Sequence, residues 1–549
     1  MDFPSREIAI RSAAAARGVG EGLMSRFGPV AAVALLCLLP QRGEAFEGAI
    51  DPAAPPPRAS AVPVPPERID AAIARLDELA ADLLRKAGIP GLSVAVVRDG
   101  RAVYVKGFGL RKAGEAGVVD ADTVFQLASV SKPVAASVVA AQVGRGVVRW
   151  DSPVAKLLPW FALSDPWVTK QVTVGDLFAH RSGLPDHGGD MLEQLDYERP
   201  DILRRLRHLP LAPFRAHYAY TNFGLTAGAE AVAAASGRDW ATLSEEAIYR
   251  PLGMTRTSSR FEDFEERDNR AVNHVMVEGS YQPRFQRKPD AQSPAGGVSS
   301  SANDMARWMA MVLAGGMAEG RPVVEGAALL EALRPQMLSA PPQTAADRGG
   351  FYGFGMGVGV TPSGRVMLSH SGGFALGAAT YLQLIPSLDL GIVVLSNAAP
   401  TGAVEALGAE FADLAQFGSV TRDWYAAYAG LYAPMSRPFG SLVGKEPPAR
   451  PKPPADDDAY LGFYANAYFG DAVIARKGGN LILVMGNEGA KVYPLRHWDG
   501  DTFVFAPEGE DPPPGSLSRL DFQRAKGKAS ALRIEYFAED LTRGLFKRE

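Results

Sequence analysis

The stretch Ser129-Val-Ser-Lys-Pro133 and the almost wholly apolar run behind it, Val134 to Val148, most constrain how this chain can fold. A helix that is apolar on every side has to be enclosed, so this one belongs at the centre of a domain. Pro133 is cheap only near a helix's beginning, which places that beginning close to Ser129. Residues three apart on a helix face the same side, so Lys132 lies beside Ser129. A serine at the N-terminus of a buried helix sits where the dipole favours anionic charge and free backbone N–H groups can hold an oxyanion. Burial also depresses a lysine's pKa, letting a neutral amine take the serine proton. Alone, Ser-x-x-Lys is a weak signal, equally readable as a serine helix cap beside a solvated lysine. Its surroundings decide.

Upstream, Ile69, Ile73, Leu76, Leu79, Ala80 and Leu83 recur at helical spacing and Gly88 closes the segment, predicting one amphipathic helix. Leu92 to Val97, the turn Asp99-Gly100 and Ala102 to Val105 predict a hairpin. Further strands are expected at Tyr352 to Val360, Val366 to Ser369, Ala378 to Leu384 and Gly391 to Ser396, with helical patterns between the two strand groups. That order predicts an α/β (α+β) fold: a mixed antiparallel sheet flanked by helices, with an all-helical region, whose first and last strands meet. Pro438 to Asp458 is rich in proline and charge and reads as a linker. Beyond it, short alternating runs broken by Gly-Gly, Asp-Gly and proline turns predict a small antiparallel, barrel-like β domain. The expected divisions are 1–45, a signal peptide; 46–66, a Pro-rich linker; 67–435, the main domain; 436–458, a second linker; and 459–549, the β domain.

The signal peptide rests on Arg26, the ten-residue apolar run Val30 to Leu39 and the small-x-small exit Gly43-Glu44-Ala45. Such a run is too short to span a bilayer, so the chain is expected to be exported to a periplasm or the outside with no membrane span left. Met24 is an alternative start. Cys37, the only cysteine, would leave with the signal; a cysteine-free remainder suits an oxidising compartment. With 57 Lys+Arg against 61 Asp+Glu, the chain lacks the basic excess that gripping nucleic acid requires.

Other chemistries leave no trace: no G-x-S-x-G, no H-E-x-x-H, no Gly-rich phosphate loop, and His180 and His187 at no metal-ligand spacing. No metal and no cofactor is expected. Two further segments fit the Ser-x-x-Lys. Tyr220-Thr-Asn222 follows a loop and precedes the helical stretch Gly224 to Ala235, where a tyrosine can face a cleft. His370-Ser-Gly372-Gly373 follows the strand ending at Ser369 and can present polar groups and a backbone N–H from a strand edge. Each alone is bland, a buried tyrosine and a turn.

In this order the three segments resemble those of the β-lactamase and penicillin-binding-protein superfamily of serine hydrolases. The likeness is to its class C-like branch, with its esterases, D-aminopeptidases and D-stereospecific peptidases. The resemblance runs from about Glu67 to Gly430. It extends to Leu177-Phe-Ala-His-Arg-Ser-Gly-Leu184, Pro251-Leu-Gly-Met-Thr255, Ala295 to Asp304 and Tyr352-Gly-Phe-Gly355. It implies that Ser129 is the acylated nucleophile, with Lys132 and Tyr220 a coupled pair handling the proton. It implies that Asn222, His370 and Gly372 contact substrate and that the N–H groups of Ser129 and Gly373 form the oxyanion hole. His370 stands where β-lactamases carry a lysine. A lysine is a fixed cation suited to a substrate carboxylate, whereas histidine is expected to titrate near neutrality, which looks more like the branch's esterases and D-amino-acid amidases.

The expected activity is cleavage of an amide or ester, chiefly in small D-amino-acid-containing peptides. The alternatives are a non-catalytic penicillin-binding-like receptor or assembly protein, or a weak β-lactamase. His180 reads as structural, and the run Arg199 to Arg207 as a solvated helix face. The β domain resembles lipocalin-like modules and either walls the cleft or merely spaces it. Pocket shape falls to the loops Leu184 to Ala216 and Phe261 to Pro294. Oligomeric state is not legible.

Overall fold

The computed structural model describes residues 60–549, except 61 and 526. The expected signal peptide and all but the end of the first linker lie outside the described residues. Two helices, α1 (Pro66–Ala74) and α2 (Leu76–Ala87), stand where one was expected. At Arg75 the N–H reaches back only to Ala72 O (3.2 Å), a tightened turn that re-aims the chain. Gly88, at φ 65°, ends α2.

Strands β1 (Gly91–Arg98) and β2 (Arg101–Gly109) form the hairpin, and Asp99 and Gly100 both take positive φ, as a tight mirror-image turn requires. Then come β3 (Met337–Ala340), β4 (Gly350–Tyr352), β5 (Gly357–Val360), β6 (Val366–Phe374), β7 (Ala378–Ile385) and β8 (Leu390–Ser396). They make one antiparallel sheet in the order β2-β1-β8-β7-β6-β5-β4-β3. The first and last strands do meet, Leu92 opposite Ser396 through Arg98 opposite Leu390.

Two strand boundaries differ from expectation. Tyr352 to Val360 is two strands, because Gly355 takes a left-handed φ of 79° and turns the chain between them. β6 does not stop at Ser369 but runs on through His370 to Phe374, held by β7. β5, however, ends its pairing at Gly357 opposite Ser369. From His370 onward β6 therefore keeps one side free of β5, a short internal edge.

Along β1 the side chains alternate between two apolar clusters, so both faces of the sheet are covered. Val94 and Val96 join α1, α2 and α6 (Ala403–Phe417); Ala95 and Val97 join the larger core of the other face. That second face carries α3 (Ser131–Gly144), α4 (Asn222–Ser236) and α5 (Ala302–Leu313). Every residue of α3 from Ser131 to Gln142 is buried, as its all-round apolarity demands.

Nine strands between Gly462 and Arg548 form a second antiparallel sheet, curled into a nearly closed barrel shape. It docks on the helical region. Tyr197 Oη donates to Phe469 O (3.0 Å), Arg205 to Tyr468 O (2.7 Å), and Lys491 pairs with Asp196 (2.9 Å). The core around α3 continues unbroken through Leu195 and Tyr197 into Phe469 and Leu483. The run Arg199 to Arg207 is thus only partly a solvated face: Ile202, Leu203 and Leu206 are buried and Arg205 reaches the second sheet. Among the described residues no helix is long and apolar enough to cross a membrane.

Candidate active site

Ser129 sits in a single 3-10 turn, Ala128–Val130, that leads directly into α3. The turn is sharp enough to force Ala128 to a φ of 47°, a conformation that costs an alanine on the order of 1 kcal/mol or more and persists only when its surroundings impose it. They do. Leu127 N–H donates to Val298 O (2.8 Å), Thr380 Oγ1 on β7 donates to Leu127 O (2.6 Å), and Val298 N–H donates to Ser131 Oγ (2.9 Å). Between buried neighbours, Ser129 alone keeps partial exposure.

One turn on from Ser129, at the start of α3, Lys132 is fully buried, its Nζ 3.1 Å from Ser129 Oγ, 2.7 Å from Asn222 Oδ1 and 2.9 Å from Ala295 O. Burial pushes this amine down to about 7, against the opposing pull of the Asp190 carboxylate. Tyr220 lies just before α4. Lys132 Nζ stands 4.6 Å from the centre of its ring, and Ser129 lies near enough to its hydroxyl to favour the ionised phenol. Burial drives that phenol well above its usual range, only partly offset by Ser129, so it is a neutral proton donor near pH 7. Ser129, Lys132, Tyr220 and Asn222 are therefore brought together.

His370 and Gly372 arrive on the free side of β6. Gly372 presses on the serine's turn: a Cβ there would stand 2.4 Å from Leu127 O and 2.9 Å from Ser129 N. Gly373 follows it in the strand, opposite Ala379. The expectation that His370 titrates near neutrality is corrected. Burial, with Lys132 nearby, pushes it down to about 3, so it is neutral across the physiological range. Both ring nitrogens are engaged, Nδ1 with Ser371 O (2.6 Å) and Nε2 with Tyr352 Oη (2.8 Å). A carbonyl only accepts, so Nδ1 carries the hydrogen and Nε2 accepts from the tyrosine.

His180 props the site rather than entering it. Its Nδ1 accepts from Thr221 N–H (3.1 Å) and its ring packs 4.6 Å from that of Tyr220. Three partners went unread in the sequence: Ala295, Tyr352 and Asp190, whose Oδ2 accepts from Asn222 Nδ2 at 2.9 Å. Ala295 and Tyr352 lie inside recognised segments, but nothing marks their roles; Asp190 lies in no motif at all.

The Gly372 contact yields a prediction. Gly372→Ala should force β6 off the serine's turn, costing about 1–3 kcal/mol by overpacking and slowing Ser129 acylation at least ~100-fold by misplacement. Melting temperature and the rate of fluorophosphonate labelling check both. Labelling at the wild-type rate would show that the strand does not set the serine's position.

The family model described as Beta-lactamase matches residues 76–417, and one described as a domain of unknown function (DUF3471) matches residues 446–547. The chain is 30% identical over 323 residues to unguisins hydrolase ungD' of Aspergillus campestris, covering 56% of this chain and 58% of that protein. It thus spans little more than half of that relative's length. It is 24% identical over 330 residues to the D-alanyl-D-alanine-carboxypeptidase/endopeptidase AmpH of Escherichia coli K12, covering 59% of this chain and 84% of that protein. The octameric penicillin-binding protein homologue from Pyrococcus abyssi shares the fold, with a TM-score of 0.54 and 18% identity over 86% of this chain and all of that one.

Proposed function

The chain belongs to the Beta-lactamase family; from that premise we propose that it is an exported serine hydrolase that cleaves small D-amino-acid-containing peptides, or related esters, through an acyl-enzyme on Ser129. The arrangement of partners around Lys132 carries this reading. Asn222 Oδ1 and Ala295 O only accept, so they take two hydrogens of the amine. In the neutral form, which a pKa of about 7 makes plentiful, the lone pair then faces Ser129 Oγ. Lys132 takes the serine's proton as Oγ attacks the carbonyl carbon. Tyr220, neutral and beside Ser129, passes a proton to the leaving amine or alkoxide. The N–H groups of Ser129 and Gly373 hold the oxyanion, and the remaining Nδ2 hydrogen of Asn222 orients the substrate amide. Water attacks the acyl-enzyme by the same steps in reverse.

The neutral His370 supports amides and esters that carry no carboxylate beside the cleaved bond over β-lactams, because it offers a substrate carboxylate no cation. The relative named as a D-alanyl-D-alanine-carboxypeptidase/endopeptidase supports D-residues at the cleaved bond. A panel of D- and L-aminoacyl anilides, p-nitrophenyl esters and nitrocefin tests this. D-anilides and esters should turn over and nitrocefin barely, whereas nitrocefin as the best substrate would reverse the assignment. Tyr220→Phe should fold normally yet lose about 10²- to 10⁴-fold in kcat, the usual range for one acid–base group. Wild-type turnover would remove Tyr220 from the mechanism.

A further inference from the structure

Asn222 can sit in its pocket two ways, with its amide oxygen or its amide nitrogen toward Lys132. Lysine has only hydrogens to offer when protonated, so the nitrogen-inward orientation sets donor against donor and silences the site. The choice is made on the other side of the amide. There Asp190 Oδ2 lies 2.9 Å from Asn222 Nδ2, and a carboxylate only accepts. The same Oδ2 is 2.9 Å from Nδ1 of the half-exposed His187, and Asp190 raises that imidazole and keeps it a donor as well. Asp190 in turn is held from behind. It opens a short helix just after Gly189, against whose backbone lies the hydroxyl of Tyr468, fully buried in the turn 467–469 of the C-terminal unit. Tyr468 Oη also donates to Glu539 (2.7 Å).

We propose that Asp190 is a positioning residue, which sets the orientation of Asn222 and the charge balance of Lys132 and is held in register by Tyr468 of the C-terminal β unit. The inference rests on the reading of Ser129 and Lys132 as nucleophile and base. Asp190 is faced by Asp186 and His187 of its own loop, Lys132 of α3, Tyr220 before α4, and Tyr468, Asp511 and Glu539 of the C-terminal unit. Burial raises Glu539 to about 8, so it is not a fixed anion in the way a solvated carboxylate would be, and Asp511 lies exposed, where solvent screens its charge. Lys132 is faced in addition by His180 and His370, both driven down by burial and by Lys132 itself. Asp190 is thus the anion that opposes burial at Lys132.

The sign follows. The base is the neutral amine, so reactivity of Ser129 rises with pH through the pKa of Lys132. Removing the carboxylate lowers that pKa further and moves the rise to lower pH. The test is the rate of fluorophosphonate labelling of the full-length chain against pH. The wild type should show a midpoint near 7. Asp190→Asn should shift that midpoint down on the order of one pH unit and cut the plateau rate about tenfold or more, because an asparagine there lets Asn222 turn over. Asp190→Glu should bring the midpoint back. Tyr468→Phe should move it in the same direction by less, and that variant carries the test if Asp190→Asn does not fold. An unmoved midpoint in folded Asp190→Asn overturns the role of Asp190; an unmoved midpoint in Tyr468→Phe overturns the part given to the C-terminal unit. A wild type that takes no label at any pH brings down the nucleophile assignment and this inference together.

Discussion

Ser129→Ala is expected to lose roughly 10⁴- to 10⁶-fold in kcat, the scale set by other serine nucleophiles, and to take no adduct from a fluorophosphonate or a β-lactam by intact mass. The expectation depends on the absence of a stand-in. Ser131 is the nearest hydroxyl in sequence, yet it is fully buried and its Oγ is committed to Val298 N–H. Lys132 and Tyr220 both converge on Ser129, so their proton transfer has no second client. The fold should be indifferent to the change, since the strained turn is imposed by bonds to Leu127 and Ser131 that alanine leaves intact. An adduct persisting on Ser129→Ala, at any residue, would sink the assignment, and so would a wild type inert to both reagents.

The second large effect concerns the C-terminal unit. Ending the chain after residue 436 should leave no soluble, labelling-competent protein. The cut strips cover from Leu195 and Tyr197, buried in the full chain, at about 1.5–3 kcal/mol for each large side chain exposed. It also removes Glu510, 2.5 Å from Arg287, leaving that buried guanidinium with Glu193 alone. Removing one partner of a buried pair costs about 3–5 kcal/mol, a large part of the stability of an ordinary domain. Soluble yield, dye binding to exposed apolar surface, and Ser129 labelling of the shortened chain are the measurements. A soluble shortened chain that labels at the wild-type rate would make the unit a spacer after all.

The elements legible in the sequence were those specified locally. Asp99-Gly100 announces its hairpin because few dipeptides tolerate two successive left-handed residues, and the apolar run after Pro133 announces a central helix because nothing else satisfies it. The family motifs named Ser129, Lys132, Tyr220 and Asn222, and the fold brings all four together. What escaped was set by distance and burial. Nothing near His370 in the sequence reveals that Tyr352 will occupy its Nε2 or that enclosure will keep it neutral. Asp190 sits in a stretch with no periodicity or motif, and its meaning arises only when α4 and a sheet beginning at residue 462 close on it. The break between α1 and α2 left no signal because both halves share one apolar face.

The pairing of β1 with β8 has a consequence in time. β1 finds its inner neighbour roughly 300 residues further along the chain, and pairings so remote make folding slow. Until Leu390 to Ser396 arrives, the hairpin of β1 and β2 exposes an apolar ribbon with one unsatisfied rim, the kind of surface on which newly made chains stick to one another. Such a chain needs an escort, or dilution, while it waits. Yields on refolding from denaturant should accordingly fall with protein concentration well before native stability becomes limiting.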